Sequence, residues 1–233
     1  MKKNNEHKVL LLISIKKFVL VAINSEKKNI YKKEFLIKNF SNELNFDLLN
    51  KFLSQNIFEL EKKLEKFINN IFLIIDYKKF FSVNLSIKKK LNGEAINLDE
   101  ITSLLAEAKD QCKKTLANHK IIHMKINNYM IDNSNYNLIP KGLKCDFFSL
   151  DIEFIGFPKS LIKDIELILV NYQISVSDIV NYEYLKSFIK SKEDDIFAMC
   201  DKILNGYNSN EVFLVTKNNK NEGFFERFFN FFN

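Results

Sequence analysis

Val9-Leu-Leu-Leu-Ile-Ser-Ile15, Phe18-Val-Leu-Val-Ala-Ile23 and Ile30-Tyr-Lys-Lys-Glu-Phe-Leu-Ile37 are three short apolar or alternating runs separated by polar breaks. That pattern suits three consecutive antiparallel strands. A helical period follows, with Phe46, Leu49, Phe52 and Leu53, then Phe58, Leu60, Leu64 and Phe67, at spacings of three and four. Ile71-Phe-Leu-Ile-Ile75 then reads as a fully buried strand. Working outward, we expect a strand near Phe80 to Lys88 and a helix capped at Asn97 or Asp99 running through Ile101, Leu104, Leu105 and Ala108. Strands around Lys120 to Ile131 and Leu143 to Phe157 come next. Pro158 is an N1-type start signal for a helix carrying Leu161, Ile162, Ile165, Leu167 and Ile168. Ile174 to Val180 reads as a strand, Tyr184 to Ile189 and Ile196 to Leu204 as helices, Asn205-Gly206 as a turn, and Val212 to Val215 as a strand able to close the sheet. The fold class is therefore α/β.

Composition narrows the function. In 233 residues, 46 % of them apolar, there is enough material for a real core and no sign of disorder or a fibrous repeat. The three cysteines, Cys112, Cys145 and Cys200, are scattered and odd in number, which suits inert thiols in a reducing compartment. The opening apolar run stops at Lys16-Lys17 with no small-residue cleavage site after it, so it does not read as a signal peptide. The net charge of +6 invites a nucleic-acid partner, yet Arg227 is the one arginine among 35 basic residues. The planar fork that reads base edges and grips phosphates is nearly missing, so no nucleic-acid partner is expected. Lys88-Lys-Lys90, the densest basic run, reads as a solvated strand end or turn.

No catalytic constellation is legible. His119 and His123 lie in a predicted strand, on one face and about 13 Å apart, too far for one metal ion. Asp99-Glu100 and Asp194-Asp195 suit helix caps or solvent. There is no nucleophile elbow, no Gly-rich loop ending in Lys-Ser/Thr and no Cys beside a positioned His. The expectation is a non-enzyme with no cofactor and no metal.

The chain ends in Gly223-Phe-Phe-Glu-Arg-Phe-Phe-Asn-Phe-Phe-Asn233. On a helix, Phe224, Phe225, Phe228, Phe229, Phe231 and Phe232 fill an arc of roughly 160°, with Glu226, Arg227, Asn230 and Asn233 opposite. A span needs about 20 apolar residues, so such a helix would lie in a membrane interface. The polar stretch Lys217-Asn-Asn-Lys-Asn-Glu222 reads as its linker, with Lys217 and Lys220 available to anionic lipid.

The run His123-Met-Lys-Ile-Asn-Asn-Tyr-Met-Ile-Asp132 resembles, without a gap, a strand of the bacterial cell-division protein FtsA family that usually reads His-Val-Ile-Pro-Gln-x-Tyr-x-Ile-Asp. His123, Tyr129 and Asp132 are the matching positions. Pro140-Lys-Gly142-Leu143 is similar to that family's Pro-x-Gly-Leu turn, in register. Ala95-Ile-Asn-Leu-Asp-Glu-Ile101 with Ala106-Glu-Ala-Lys109 resembles its subdomain helix, and Ile174-Ser-Val-Ser-Asp-Ile-Val180 one of its strands. The likeness covers about residues 8–190 and implies a single actin-like, ribonuclease-H-like lobe over 8–78 and 158–216. A strand-helix-strand-strand subdomain is inserted at 79–157, followed by a linker at 217–222 and an amphipathic membrane helix at 223–233. The family uses its terminal helix as a membrane-targeting device.

The departures from that family shape the functional expectation. Where actin-like ATPases carry Asp-x-Gly-Thr to cradle phosphate, this chain has Ser14-Ile15-Lys16-Lys17, with no acid, glycine or threonine. The expected second lobe finds no room before the tail. The resemblance thus implies a non-enzymatic division adaptor on the cytoplasmic face of the membrane at the division site. It would meet a lipid surface through its tail and division proteins through residues 79–157, with self-association and no direct grip on the FtsZ peptide. The exposed side of the helix at Asp99 to Leu116 and the Asn-rich loop Asn133 to Gly142 are the expected contact surface. An adaptor of a pilus or secretion assembly machine is the alternative, because actin-like components of those machines share the subdomain.

Overall fold

The computed structural model describes residues 7–191 and 195–212. In chain order the elements are β1 (Lys8–Ser14), β2 (Lys17–Ile23), β3 (Asn29–Leu36), α1 (Phe46–Leu64), β4 (Asn70–Asp76), β5 (Phe81–Lys90) and α2 (Leu98–Thr115). They continue as β6 (His119–Ile131), β7 (Ser134–Tyr136), β8 (Phe147–Pro158), α3 (Lys159–Val170), β9 (Ser175–Asn181), α4 (Tyr182–Lys186) and α5 (Ile196–Leu204). The chain divides into two compact units. One holds the residues up to Lys79 and Lys159–Asn205, the other Phe80–Pro158 and the described residues from Gly206 onward.

The first unit is a five-stranded sheet in the order β3-β2-β1-β4-β9. β1, β2 and β3 are antiparallel neighbours, while β4 and β9 run parallel to β1. This order, three antiparallel strands followed by parallel ones after a helix, agrees with the expected α/β fold class. Both faces are covered, which is why β1 and β2 are nearly continuous apolar runs. On one face Phe18 and Phe35 pack with Phe52 of α1, and the Tyr31 hydroxyl donates to the Asn56 carbonyl. Opposite, Lys32 lies over the Phe197 ring of α5. Asp201 of α5, almost fully buried, takes Lys8 at 2.6 Å and Lys27 at 3.6 Å.

Helix α1 forms where expected, capped by the Asn45 side chain accepting from the Leu48 N–H. Its buried stripe differs from the expected one. Leu49, Phe52, Leu53, Ile57, Leu60 and Leu64 face inward, whereas Phe58 and, beyond the helix, Phe67 are exposed. Spacings of three and four fit more than one stripe, and packing against β2 and β3 selects the one through Leu53 and Ile57. Leu167 of α3 likewise faces solvent, while Leu161, Ile162, Ile165 and Leu169 are buried. Pro158 is the last residue of β8 rather than the first of a helix, opposite His119, and α3 begins one residue later.

The second unit is an antiparallel sheet in the order β5-β8-β6-β7 with α2 on one face. Asn97 caps α2, and Ile101, Leu104, Leu105, Ala108 and Cys112 meet Met124, Ile126, Tyr129 and Ile131 of β6 and Phe148, Leu150, Ile152 and Phe154 of β8 in its core. Two bulges in β6, between Ile121 and His123 and between Ile126 and Asn128, shift the side-chain parity. That is how even-numbered Met124 and Ile126 share a face with odd-numbered Tyr129 and Ile131. The first bulge also separates His119 from His123, placing them on opposite faces rather than the same one. His119 packs edge-on against Phe81.

Three further expectations are corrected. Residues 143–146 are irregular, with Lys144 in an isolated antiparallel bridge to Ala95, so β8 begins only at Phe147. The Asn-rich stretch after Asp132 is not a free loop, because Ser134–Tyr136 fold back as β7 on Tyr129–Ile131, with Tyr136 packed on the core. The residues at 206–212, expected in the first lobe, add to the second unit. β7 covers only the end of β6, and the backbone farther back is taken by this segment through Ile126 N–H to the Asn210 carbonyl and Val212 N–H to the Met124 carbonyl. Residues 213–215 of that expected strand, the linker at 217–222 and the Phe-rich end lie outside the described residues.

Candidate functional site

The parallel strands β1, β4 and β9 end on one side of the first sheet, where α/β folds place their ligand crevices. A cavity of about 450 Å³ opens there, lined by Ile15, Lys16, Asp76, Tyr77, Glu183 and Lys186 among others. Its floor is the β1–β2 turn. Ser14 is buried, and its hydroxyl accepts from the Lys16 N–H at 3.2 Å and the Lys17 N–H at 2.9 Å while donating to the Lys17 carbonyl at 3.0 Å. A phosphate-binding turn works by aiming free backbone N–H groups at the anion. Here the side chain of Ser14 already occupies two of them.

The lysines of the turn have partners of their own. Lys17 pairs with Glu34 at 2.9 Å, and Lys16 lies 5.6 Å from the centre of the Phe40 ring. Asp76, the last residue of β4, stands in register with Ser14. Burial pushes its carboxyl above the usual carboxylate range, nearby Glu183 adds to the rise, and Lys16, Lys186 and Lys17 oppose it. Two further lining residues, Tyr77 and Lys79, donate to Glu43 through the Tyr77 hydroxyl and the Lys79 ammonium. The cavity is thus a mixed-charge pocket around one half-buried carboxylate. Asp76 was not singled out from the sequence, although an acid closing a run as apolar as Ile71–Ile75 is itself a signal. Among the described residues no group of three or more His, Cys, Asp or Glu could hold a metal ion.

The motif positions of the second unit gather around β6. His123 is buried with its Nδ1 2.6 Å from Glu211 Oε1, so the pair ties the 206–212 segment to the sheet. Glu211 had no sequence signal, since its partner lies 88 residues away. Tyr129 is fully buried, its hydroxyl has no hydrogen-bond partner among the described residues, and burial raises its pKa. Asp132 sits at φ 51°, and its Oδ1 accepts from the Asp146 and Phe147 N–H groups, closing the β6–β8 end. Pro140 is buried, the Gly142 N–H donates to the Ile96 carbonyl at φ 76°, and the partly exposed Leu143 accepts from the Ile96 N–H. These residues build the frame of the subdomain rather than a reactive centre. The three cysteines are buried, and burial pushes the Cys112 and Cys145 thiols up.

Phe224, Phe225, Phe228, Phe229, Phe231, Phe232, Lys217 and Lys220 lie outside the described residues. Among the described ones no helix is long and apolar enough to cross a membrane.

No protein-family model matches the chain, and no curated protein matches it. Among solved structures, a type IV pilus biogenesis complex of PilM and PilN overlays on 76 % of this chain and 48 % of its own, with 7 % identity and a TM-score of 0.45. The cytoplasmic domain of EpsL, an inner-membrane component of the type II secretion system of Vibrio cholerae, overlays on 80 % of this chain and 61 % of its own, with 8 % identity and a TM-score of 0.38. An Argonaute of Marinitoga piezophila with guide RNA and target DNA overlays on 73 % and 26 %, with 11 % identity and a TM-score of 0.25. This chain spans about half of the first of these structures and three-fifths of the second.

Proposed function

We propose that this chain is a non-catalytic, actin-like adaptor of a membrane-associated protein assembly, of the pilus or secretion kind from which the PilM–PilN and EpsL structures come. The observation that carries the non-catalytic part is the β1–β2 turn, whose amides are spent on Ser14 and whose lysines are held by Glu34 and Phe40. A lobe that keeps the fold but fills its phosphate turn with its own side chain is suited to present surfaces rather than turn over nucleotide. The chain works on the cytoplasmic face of the membrane, held by its Phe-rich end, with protein partners on the second unit. Nucleic acid is not among its partners.

The division apparatus is the second reading, favoured by one specific observation. The FtsA-like positions His123, Tyr129, Asp132, Pro140 and Gly142 each have a defined place in the frame of the second unit. On that reading the contact with division proteins also falls within residues 79–157, without direct binding of the FtsZ peptide.

Two measurements on the full-length protein test this. Calorimetric titration with Mg-ATP should show no binding isotherm, and a micromolar isotherm would remove the non-catalytic reading. Crosslinking in the native cell, followed by mass spectrometry, should recover pilus or secretion components. Recovery of division proteins instead would transfer the assignment to the second reading, and recovery of neither would defeat both.

A further inference from the structure

We propose that β5 is a self-association edge, pairing antiparallel with β5 of a second copy of this chain about a two-fold axis at Leu85. An unpaired sheet edge is a template for another strand, and folds that must stay monomeric blunt it with charge, proline, bulges or a covering segment. The other edges described here carry such devices. β3 presents Lys32, Lys33 and Glu34 and meets β2 with a bulge, β9 carries Asp178 and meets β4 with a bulge, and the far side of the second sheet is covered by β7 and the 206–212 segment. β5 carries none over most of its length. It pairs only with β8 among the described residues, through ten consecutive register pairs without a bulge, and Phe81-Ser-Val-Asn-Leu-Ser-Ile87 contains neither charge nor proline.

The sequence of the edge selects a second copy, in one direction. Phe81, Val83, Leu85 and Ile87 share the α2 face, being opposite Gly156, Phe154, Ile152 and Leu150. Val83 is 40 % exposed, the open point in that apolar row. Antiparallel pairing centred on Leu85 sets Val83 against the second copy's Ile87 twice and Leu85 against Leu85, the apolar cross-strand contacts that stabilise a ladder. On the other face it sets Asn84 against Ser86 and brings the second copy's Lys88 to Ser82, whose hydroxyl donates to Glu153 at 2.7 Å. The two Lys88–Lys90 ends then stand about 20 Å apart by strand rise, well beyond the screening length. Parallel pairing would stack them as like charges. The result is one continuous eight-stranded sheet, made from two sheets of four.

The test uses the full-length chain. Sedimentation velocity over a wide concentration range should show a monomer–dimer equilibrium, and Val83→Lys, which places a charge in the apolar row at an exposed position, should weaken it roughly tenfold or more. Asn84→Cys mixed with Ser86→Cys should form a disulfide-linked dimer more efficiently than either variant alone, because that register sets the two positions opposite each other. A wild type that stays monomeric overturns the proposal. So does association that Val83→Lys leaves unchanged and that gives no preferential crosslink in the mixture, which would assign the contact elsewhere, the Phe-rich end included. Neither result bears on whether the chain binds nucleotide, so this inference stands or falls apart from the proposed function.

Discussion

Asp76 shows at the residue scale how a side chain can cost stability and still be kept. Its folded-state pKa is raised, chiefly by burial, so the folded protein holds its proton more tightly than the unfolded chain does. Stability therefore falls as pH rises from the ordinary carboxylate value through the raised one. Asp76→Asn should stabilise the protein at neutral pH, seen as a higher Tm, and the gain should vanish in acid, where the carboxyl is protonated in both states. A loss of stability at neutral pH would mean that the lysines, not burial, dominate its surroundings. Two glycines separate conformational strain from steric contact. A Cβ at Gly142 meets nothing within 4 Å, so Gly142→Ala pays only for its positive φ, about 1 kcal/mol. At Gly156 a Cβ would stand 2.3 Å from the Lys120 carbonyl oxygen and 2.5 Å from the Phe81 ring, and since the backbone cannot swing aside, Gly156→Ala should cost about 3 kcal/mol. Urea titration of the two variants should give that order.

At the scale of the element, α1 tests which stripe of a helix carries its stability. Leu53 is fully buried and Phe58 is exposed, although both fit a helical period. Leu53→Ala should destabilise by about 2–5 kcal/mol through lost burial and the cavity left behind. Phe58→Ser should change stability by less than about 0.5 kcal/mol. Equal losses in denaturant titrations would contradict the observed facing of α1. The cap belongs to the same scale, since Asn45→Ala removes the acceptor for the Leu48 N–H and should cost about 1 kcal/mol.

At the scale of the whole molecule, the proposed membrane attachment makes a prediction about salt. Six Phe side chains at about 1.5 kcal/mol or more each outweigh the contribution of Lys217 and Lys220, about 1 kcal/mol apiece at an anionic surface, while Glu226 and Arg227 cancel. In liposome flotation the full-length protein should stay bound through moderate salt, and Phe228→Asp with Phe229→Asp should release it. Elution by salt, with the double variant still bound, would point to an electrostatic contact made elsewhere.

What the sequence by itself determined were the elements whose signals are local. The apolar runs of β1, β2 and β4, the periodicity of α1 and α2, the Asn97 cap of α2 and the turn at Asn205-Gly206 depend on neighbours along the chain, and so does the absence of Asp, Gly and Thr at Ser14–Lys17. What only the tertiary structure decided depends on partners distant in sequence. The bulges of β6 exist because α2 must meet Met124, Ile126, Tyr129 and Ile131 on one face, and no two-residue period contains them. The inward stripe of α1 was chosen by β2 and β3, the His123–Glu211 pair joins residues 88 apart, and Asp76 reaches Ser14 only because β4 lies parallel to β1. A local pattern states what a segment can bury, and the contact that buries it fixes which of several equivalent faces is used.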